Sequence, residues 1–237
     1  MAAAVSGSST ELIQVPGDRV TMRAFLARPN GLAGPLPAVL LLHDWWGLTP
    51  HVKTVALRFA NAGYAALAPD LYTRLGSKTA DDPAQASALM AALSSQLILR
   101  DLNAATTCLK GQPGIDARRV GAVGFSMGGT FALNAAGHNS DLRAAVAFYG
   151  KVPPIETVDY FLCPVLYHYP AKDGWIPKPE IALLSQGFAK YGKPGMVCTY
   201  PEAGHGFFND SRPEAYRADD ATLAWERTRQ FLDQQMW

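Results

Sequence analysis

Short unbroken apolar runs alternate with stretches of helical spacing through most of this 237-residue chain. Residues 37–43 read Pro-Ala-Val-Leu-Leu-Leu-His, a continuous run expected of a strand covered on both faces. Tyr64 to Ala68, Ala144 to Tyr149, Pro164 to His168 and Met196 to Tyr200 repeat that character, and Val20 to Ala27 alternates as a strand. Between them, helical spacing covers Pro50 to Ala62, Gly129 to Ala136, Pro179 to Tyr191 and a closing amphipathic segment from Pro213 to Gln235. Asp81-Asp82-Pro83 supplies the acids and the proline of a helix start, and the Ala- and Leu-rich stretch behind it predicts one long helical region to about Lys110. Strands separated by helices predict an α/β fold: a mostly parallel central sheet with helices on both faces. Roughly a dozen residues part the strand ending at Tyr149 from the one starting near Cys163. That is too few for an inserted cap, so an open site walled by loops is expected.

Composition narrows the class. Hydrophobic residues make up 49% and charged ones 17%, enough for a sizeable core in one domain spanning 1–237. Residues up to about 9 carry no such periodicity and read as a flexible lead. The net charge is +1, with no basic block, which argues against nucleic acid or an anionic membrane as partner. Cys108, Cys163 and Cys198 are sparse and odd in number, which suggests reduced thiols. No secretory leader or transmembrane stretch is read, so a cytoplasmic protein, monomeric or a small homo-oligomer, is the expectation.

One motif carries chemistry. Gly124-Phe125-Ser126-Met127-Gly128 fits G-x-S-x-G, and it lies between a strand-like run from Arg118 to Val123 and a helix. Strand, sharp turn and helix form the context of a nucleophile elbow, in which a strained serine presents its hydroxyl above the sheet. A serine hydroxyl needs a base, and the base needs an orienting acid. His138, His168 and His205 follow Ser126. His205 lies in a Gly-flanked loop between the last strand and the last helix, where a catalytic base is expected. His138 reads as an exposed helix end, and His168 as a structural or pocket-wall residue. Asp173 follows the strand 164–168 and is the expected acid; Asp159 precedes that strand and falls at the wrong end. Sites in open α/β sheets lie at the carboxyl ends of strands, where Ser126, Asp173 and His205 all fall. Backbone N–H groups of Met127 and of Trp45, in the loop after an early strand, are the expected oxyanion donors.

The chain resembles the dienelactone hydrolase family of α/β-hydrolases from about Thr21 to Phe231. The resemblance rests on residues 42–48 (Leu-His-Asp-Trp-Trp-Gly-Leu), 68–72 (Ala-Pro-Asp-Leu-Tyr), 120–129 around Ser126, 172–177 (Lys-Asp-Gly-Trp-Ile-Pro) and 203–207 (Ala-Gly-His-Gly-Phe). It implies a single α/β-hydrolase domain, and since the sequence carries no H-E-x-x-H, P-loop or strand-linked dinucleotide fingerprint, no metal or organic cofactor is expected. Two departures change the expected chemistry. The family's usual nucleophile is Cys, and here it is Ser126. The family also places an acid, usually Glu, beside the nucleophile; Asp44 holds that position and is read as a hydrogen-bond partner of Ser126 or of substrate. Substrate recognition departs as well. Members that act on dienelactone hold its carboxylate with two Arg. Arg74 matches the first, while Asn209 occupies the place of the second, so the clamp is weakened.

Trp45, Trp46, Trp175, Phe207 and Phe208 cluster on the loops that carry these residues, with Tyr72 as a further wall. Together they suggest an apolar pocket for an aromatic or acyl ester. The expected activity is a serine hydrolase that cleaves small carboxylic esters or lactones through an acyl-enzyme. Dienelactone hydrolase activity proper and non-catalytic binding of a small ligand on the same fold are the alternatives.

Overall fold

Among the described residues, eight strands and six α-helices form two compact units, 1–121 and 122–237, and from Leu36 onward strands and helices interleave as the apolar runs predict. The structure is a computed structural model and describes residues 7–32 and 34–237. In the first unit β1 (Ser8–Gly17), β2 (Val20–Pro29), β3 (Leu36–Leu42) and β4 (Ala65–Pro69) lie in the order β1-β2-β4-β3. β1 and β2 form an antiparallel hairpin, β2 pairs antiparallel with β4, and β3 pairs parallel with β4. Helices α1 (Pro50–Asn61) and α3 (Ser95–Lys110) pack on these strands. β5 (Ile115–Phe125) carries the chain into the second unit, where β6 (Leu142–Phe148), β7 (Val165–Pro170) and β8 (Gly195–Tyr200) pair in parallel. Here α4 (Met127–His138) packs on β6, α5 (Lys178–Lys190) on β8, and α6 (Ala218–Met236) on β6 and β7.

Every side chain of β4 and of β7 is buried, so both faces of those strands are covered. That is the parallel-sheet signature the unbroken apolar runs announced. Residues 149–164 hold only a short 3-10 turn (Ile155–Tyr160), and no cap is inserted there.

Three boundaries differ from the sequence reading. The single helix expected from Pro83 to about Lys110 is two, α2 (Pro83–Ala91) and α3. Ser94 has extended backbone and its hydroxyl accepts from Leu97 N–H, so it starts a new helix inside an apolar stretch. The last helix begins at Ala218, five residues after Pro213, because a turn is closed first by Ala215 and Tyr216 N–H on Arg212 O. Of the flexible lead expected up to about residue 9, residues 1–6 lie outside the described residues, whereas Ser8 and Ser9 are paired in β1. Most of β1 is exposed, so no alternation marked it.

His168, inside β7, is fully buried and joins three elements. Its Nδ1 lies 2.8 Å from the Tyr200 hydroxyl on β8 and its Nε2 2.9 Å from the Thr228 hydroxyl on α6. Burial, with Arg227 nearby, pushes its pKa down to about 3 from 6.5, so the folded protein holds it neutral. Protonation then favours the unfolded chain. The contribution is complete above pH 6.5 and is lost as pH falls toward 3, at up to about 1.4 kcal/mol per pH unit. Chemical denaturation of His168→Gln is expected to give a shallower loss of stability than wild type from pH 6.5 down to about 4. Parallel curves for the two proteins would contradict this account.

Candidate active site

The second unit builds the turn at Ser126 from a steric conflict that only glycines resolve. Ser126, between β5 and α4, has φ 50° and ψ −114°, a conformation costing on the order of 1–3 kcal/mol. A Cβ on Gly124 would sit 2.0 Å from Gly128 O, and one on Gly129 2.7 Å from Phe148 O. The turn therefore closes only with hydrogen at those positions. Ser126 N–H donates to Phe148 O at the end of β6 (2.9 Å), and Ser126 O accepts from Thr130 N–H (3.0 Å), which starts α4.

Three loops of this unit meet at the serine. Ser126 Oγ is 2.7 Å from His205 Nε2, and His205 Nδ1 is 2.9 Å from Asp173 Oδ2. The Asp173 side chain is fully buried, whereas that of His205 keeps 24% of its exposure. Asp173 Oδ1 also accepts from Trp175 N–H (2.7 Å) and Ile176 N–H (3.1 Å), so the carboxylate is held from both oxygens. An ionised carboxylate only accepts, which puts the imidazole hydrogen on Nδ1 and leaves Nε2 to accept from the serine hydroxyl. The Asp173 and His205 loops are fastened to each other: Ala171 N–H donates to Tyr200 O and Lys172 N–H to Ala203 O, both at 2.9 Å. Lys172 Nζ and Glu202 Oε2 pair on the surface beside them. Met127 is the first residue of α4, so its N–H points out of the helix N-terminus, where the backbone attracts negative charge. The exposed Trp175 lies 6.2 Å from His205, ring to ring. His138 sits at a helix end with Nδ1 2.8 Å from Asn134 O.

In the first unit the loop after β3 is held by a buried strut. Leu71 N–H donates to His43 Nε2 (3.0 Å), which leaves Nδ1–H to donate to Asp44 O (2.6 Å). Burial holds His43 below the ordinary histidine range despite the nearby Asp70 and Asp44 charges. Asp44 is itself buried, and its Oδ1 accepts from Trp46 N–H (3.0 Å), fixing the turn that carries Trp45. The rings of Trp45 and Trp46 meet edge to face at 5.2 Å.

Four residues expected to touch substrate are committed elsewhere. Tyr72 is fully buried, and its hydroxyl donates to Trp45 O (2.9 Å). Burial beside Asp44 and Asp70 pushes that phenol well above its usual pKa, so it stays a donor that positions the loop and does not line a pocket. Arg74 forms a two-pronged ion pair with Asp101 (2.9 and 2.7 Å) and donates to Asp18 O (2.7 Å). Asp101 is buried, so the guanidinium neutralises a structural carboxylate. Phe207 has no exposure and packs against Phe148, Tyr149 and Tyr200, so it is core. Asn209 is buried, and its Oδ1 accepts from Ser211 N–H (3.0 Å) and Ser211 Oγ–H (2.6 Å), which makes it a turn builder. Phe208, also buried, stacks on Phe125 at 5.1 Å.

One residue beside the imidazole escaped the sequence reading. Tyr149, directly after β6, has φ 41° and its ring lies 4.9 Å from that of His205. The following Gly150 was the available signal, because it marks a tight exit from a strand. Among the described residues no cluster of three or more His, Cys, Asp or Glu could hold a metal, and no helix is long and apolar enough to cross a membrane.

A strained serine between strand and helix, with an imidazole and a carboxylate delivered by later loops of an alternating α/β chain, is the architecture of the α/β hydrolases. A crystal structure of a putative dienelactone hydrolase from Klebsiella pneumoniae is similar over 97% of this chain and 100% of its own, with TM-score 0.91 and 30% identity. The chain belongs to the dienelactone hydrolase family, whose model matches residues 22–236, and it is a hydrolase. A putative carboxymethylenebutenolidase of Escherichia coli K12 is 31% identical over 98% of this chain and 94% of that protein. A Bradyrhizobium protein named probable 2-oxo-3-(5-oxofuran-2-ylidene)propanoate lactonase is 32% identical over 88% of each chain.

The Arg74–Asp101 pair gives a direct check on these assignments. Arg74→Ala leaves a buried carboxylate unpaired and is expected to lower unfolding free energy by about 3 kcal/mol in denaturant titrations. KM for a neutral ester should stay within about 2-fold of wild type, because no uniform binding is removed. A stable variant with a raised KM would return Arg74 to the substrate.

Proposed function

We propose that this protein is a serine hydrolase that cleaves small carboxylic esters or lactones through an acyl-enzyme. The observation that carries the reading is the 2.7 Å contact of Ser126 Oγ with His205 Nε2, continued to Asp173 at 2.9 Å. Ser126 Oγ attacks the carbonyl carbon while His205 Nε2 takes the hydroxyl proton. Asp173 keeps the imidazole in the Nδ1–H form and stabilises its cation. Met127 N–H, and Trp45 N–H from the loop after β3, are assigned to the oxyanion; each such donor lowers the barrier by about 3 kcal/mol. The tetrahedral intermediate collapses as His205 returns the proton to the leaving alcohol, or to the ring oxygen of a lactone. Water deprotonated by His205 then attacks the acyl carbonyl and frees Ser126.

Asp44 has a different task from the acid of the cysteine enzymes. A serine hydroxyl has a far higher pKa than a thiol, so a carboxylate cannot ionise it in the resting enzyme; we assign Asp44 to holding the donor turn. Trp175, exposed beside His205, and Trp46 are assigned to substrate, which favours an apolar or aromatic ester. The whole chain is read as one hydrolase domain without a cofactor. The free thiols Cys108, Cys163 and Cys198 favour a reducing compartment, the cytoplasm.

The names of the relatives favour a second reading, dienelactone hydrolysis proper. That substrate carries a carboxylate. With Arg74 held by Asp101 and Asn209 building a turn, the two positions matched to the family's carboxylate clamp are occupied by other work. Neutral esters and lactones are therefore the expected substrates.

The test is turnover of p-nitrophenyl esters, neutral lactones and dienelactone by wild type and Ser126→Ala. Neutral-ester kcat/KM is expected to exceed that for dienelactone, and Ser126→Ala to lose at least about 1,000-fold on both. Ester turnover that survives in Ser126→Ala would end the serine reading, and preferred dienelactone turnover would establish the second one.

A further inference from the structure

We propose that Tyr149 is a positioning residue for His205, coupling the nucleophile turn to the base through one strained backbone step. The inference rests on the reading of His205 as the base. Tyr149 is almost completely buried and has φ 41°, a region that bulky L residues avoid. Its neighbours enforce that angle. On one side, Phe148 O accepts from Ser126 N–H (2.9 Å), so the end of β6 is tied to the nucleophile. On the other, Gly150 is pressed so closely onto α4 that a Cβ there would lie 2.3 Å from Thr130 N. Gly150 O accepts from the Tyr167 hydroxyl at 2.6 Å, and Lys151 N–H donates to Thr130 Oγ1 at 2.8 Å. Tyr149 N–H itself donates to His168 O (3.0 Å), extending the pairing of β6 with β7 by one residue. The chain is thus pinned before, at and after Tyr149, and it takes a left-handed step between those fixed points.

That step places the ring where it acts. The Tyr149 ring is 4.9 Å from His205 and 5.5 Å from Phe207, which in turn is 4.9 Å from Tyr200. A core aromatic column therefore ends against the imidazole. The Asp173 hydrogen bond at Nδ1 does not by itself set the rotation of the His205 ring about that bond; the packed aromatic wall on the Tyr149 side limits the rotation and keeps Nε2 on Ser126 Oγ. Strain held at a site by the surrounding packing is the expected signature of such a device. Because the ring touches the base and Phe148 O holds the nucleophile, one segment sets both ends of the Ser126–His205 contact.

Tyr149→Leu removes the ring, and Tyr149→Asn does so with a residue that tolerates left-handed backbone, which keeps a folded variant in hand. In both, kcat for a p-nitrophenyl ester is expected to fall about 30-fold with KM within about 3-fold, since misplacement of the base costs rate and not binding. Tyr149→Phe restores the ring and should recover most of that loss. Independently of turnover, the proton NMR resonance of His205 Nδ1–H should be sharp in wild type and in Tyr149→Phe, and broadened in the Leu and Asn variants. Ester turnover abolished by Ser126→Ala in the same assay keeps the hydrolase reading fixed. Folded Leu and Asn variants with wild-type kcat and a wild-type resonance would then overturn the role of Tyr149 alone.

Discussion

The close approach of β5, the first turn of α4 and the end of β6 governs the site in the second unit. Gly124, Gly129 and Gly150 have no room for a methyl group, and backbone nearly touches backbone at each of them. This approach produces the unusual angles of Ser126, the hydrogen bond of its N–H to Phe148 O, and the left-handed step at Tyr149. A larger residue at any of the three glycines would part the segments and move the serine hydroxyl. Strain of on the order of 1–3 kcal/mol at each of two residues is tolerable because well-packed strands and helices on both sides oppose its release.

His205 and Asp173 reach that fixed point by a different principle. Neither loop is regular structure, yet each is fastened at several places. The acid loop is folded around its own carboxylate, with Trp175 and Ile176 N–H on Asp173 Oδ1, and it is joined to the histidine loop by Ala171 and Lys172 N–H. Beneath both, neutral His168 bonds β7 to β8 through Tyr200 and to α6 through Thr228. Positions that loops alone would leave mobile are thereby set by the core.

Legibility in the sequence followed what each signal depends on. The strands were visible because two-sided burial demands an unbroken apolar run, as in 37–43, and the triad candidates because spacing and strand ends restrict where Asp173 and His205 can fall. β1 was missed because its residues mostly face water. The division of α2 from α3 was hidden because Ser94 interrupts an apolar stretch without glycine or proline. Tyr72, Arg74, Phe207 and Asn209 have partners that the sequence does not announce, for one reason. A residue type on a loop near the site says nothing of where its side chain turns, and here Asp101, Trp45 O, Ser211 and the aromatic core claim them. Tyr149 lay unseen for the complementary reason: its importance resides in a backbone angle that only packing imposes.

The central claim is that Ser126, His205 and Asp173 act as one unit in the free protein. Active-site labelling with a fluorophosphonate, mapped by peptide mass spectrometry and timed in wild type and Asp173→Asn, measures it most directly. A single adduct on Ser126, formed at least about 100-fold more slowly in Asp173→Asn, is the result this account predicts. Equal rates in the two proteins, or an adduct on another residue, would contradict it.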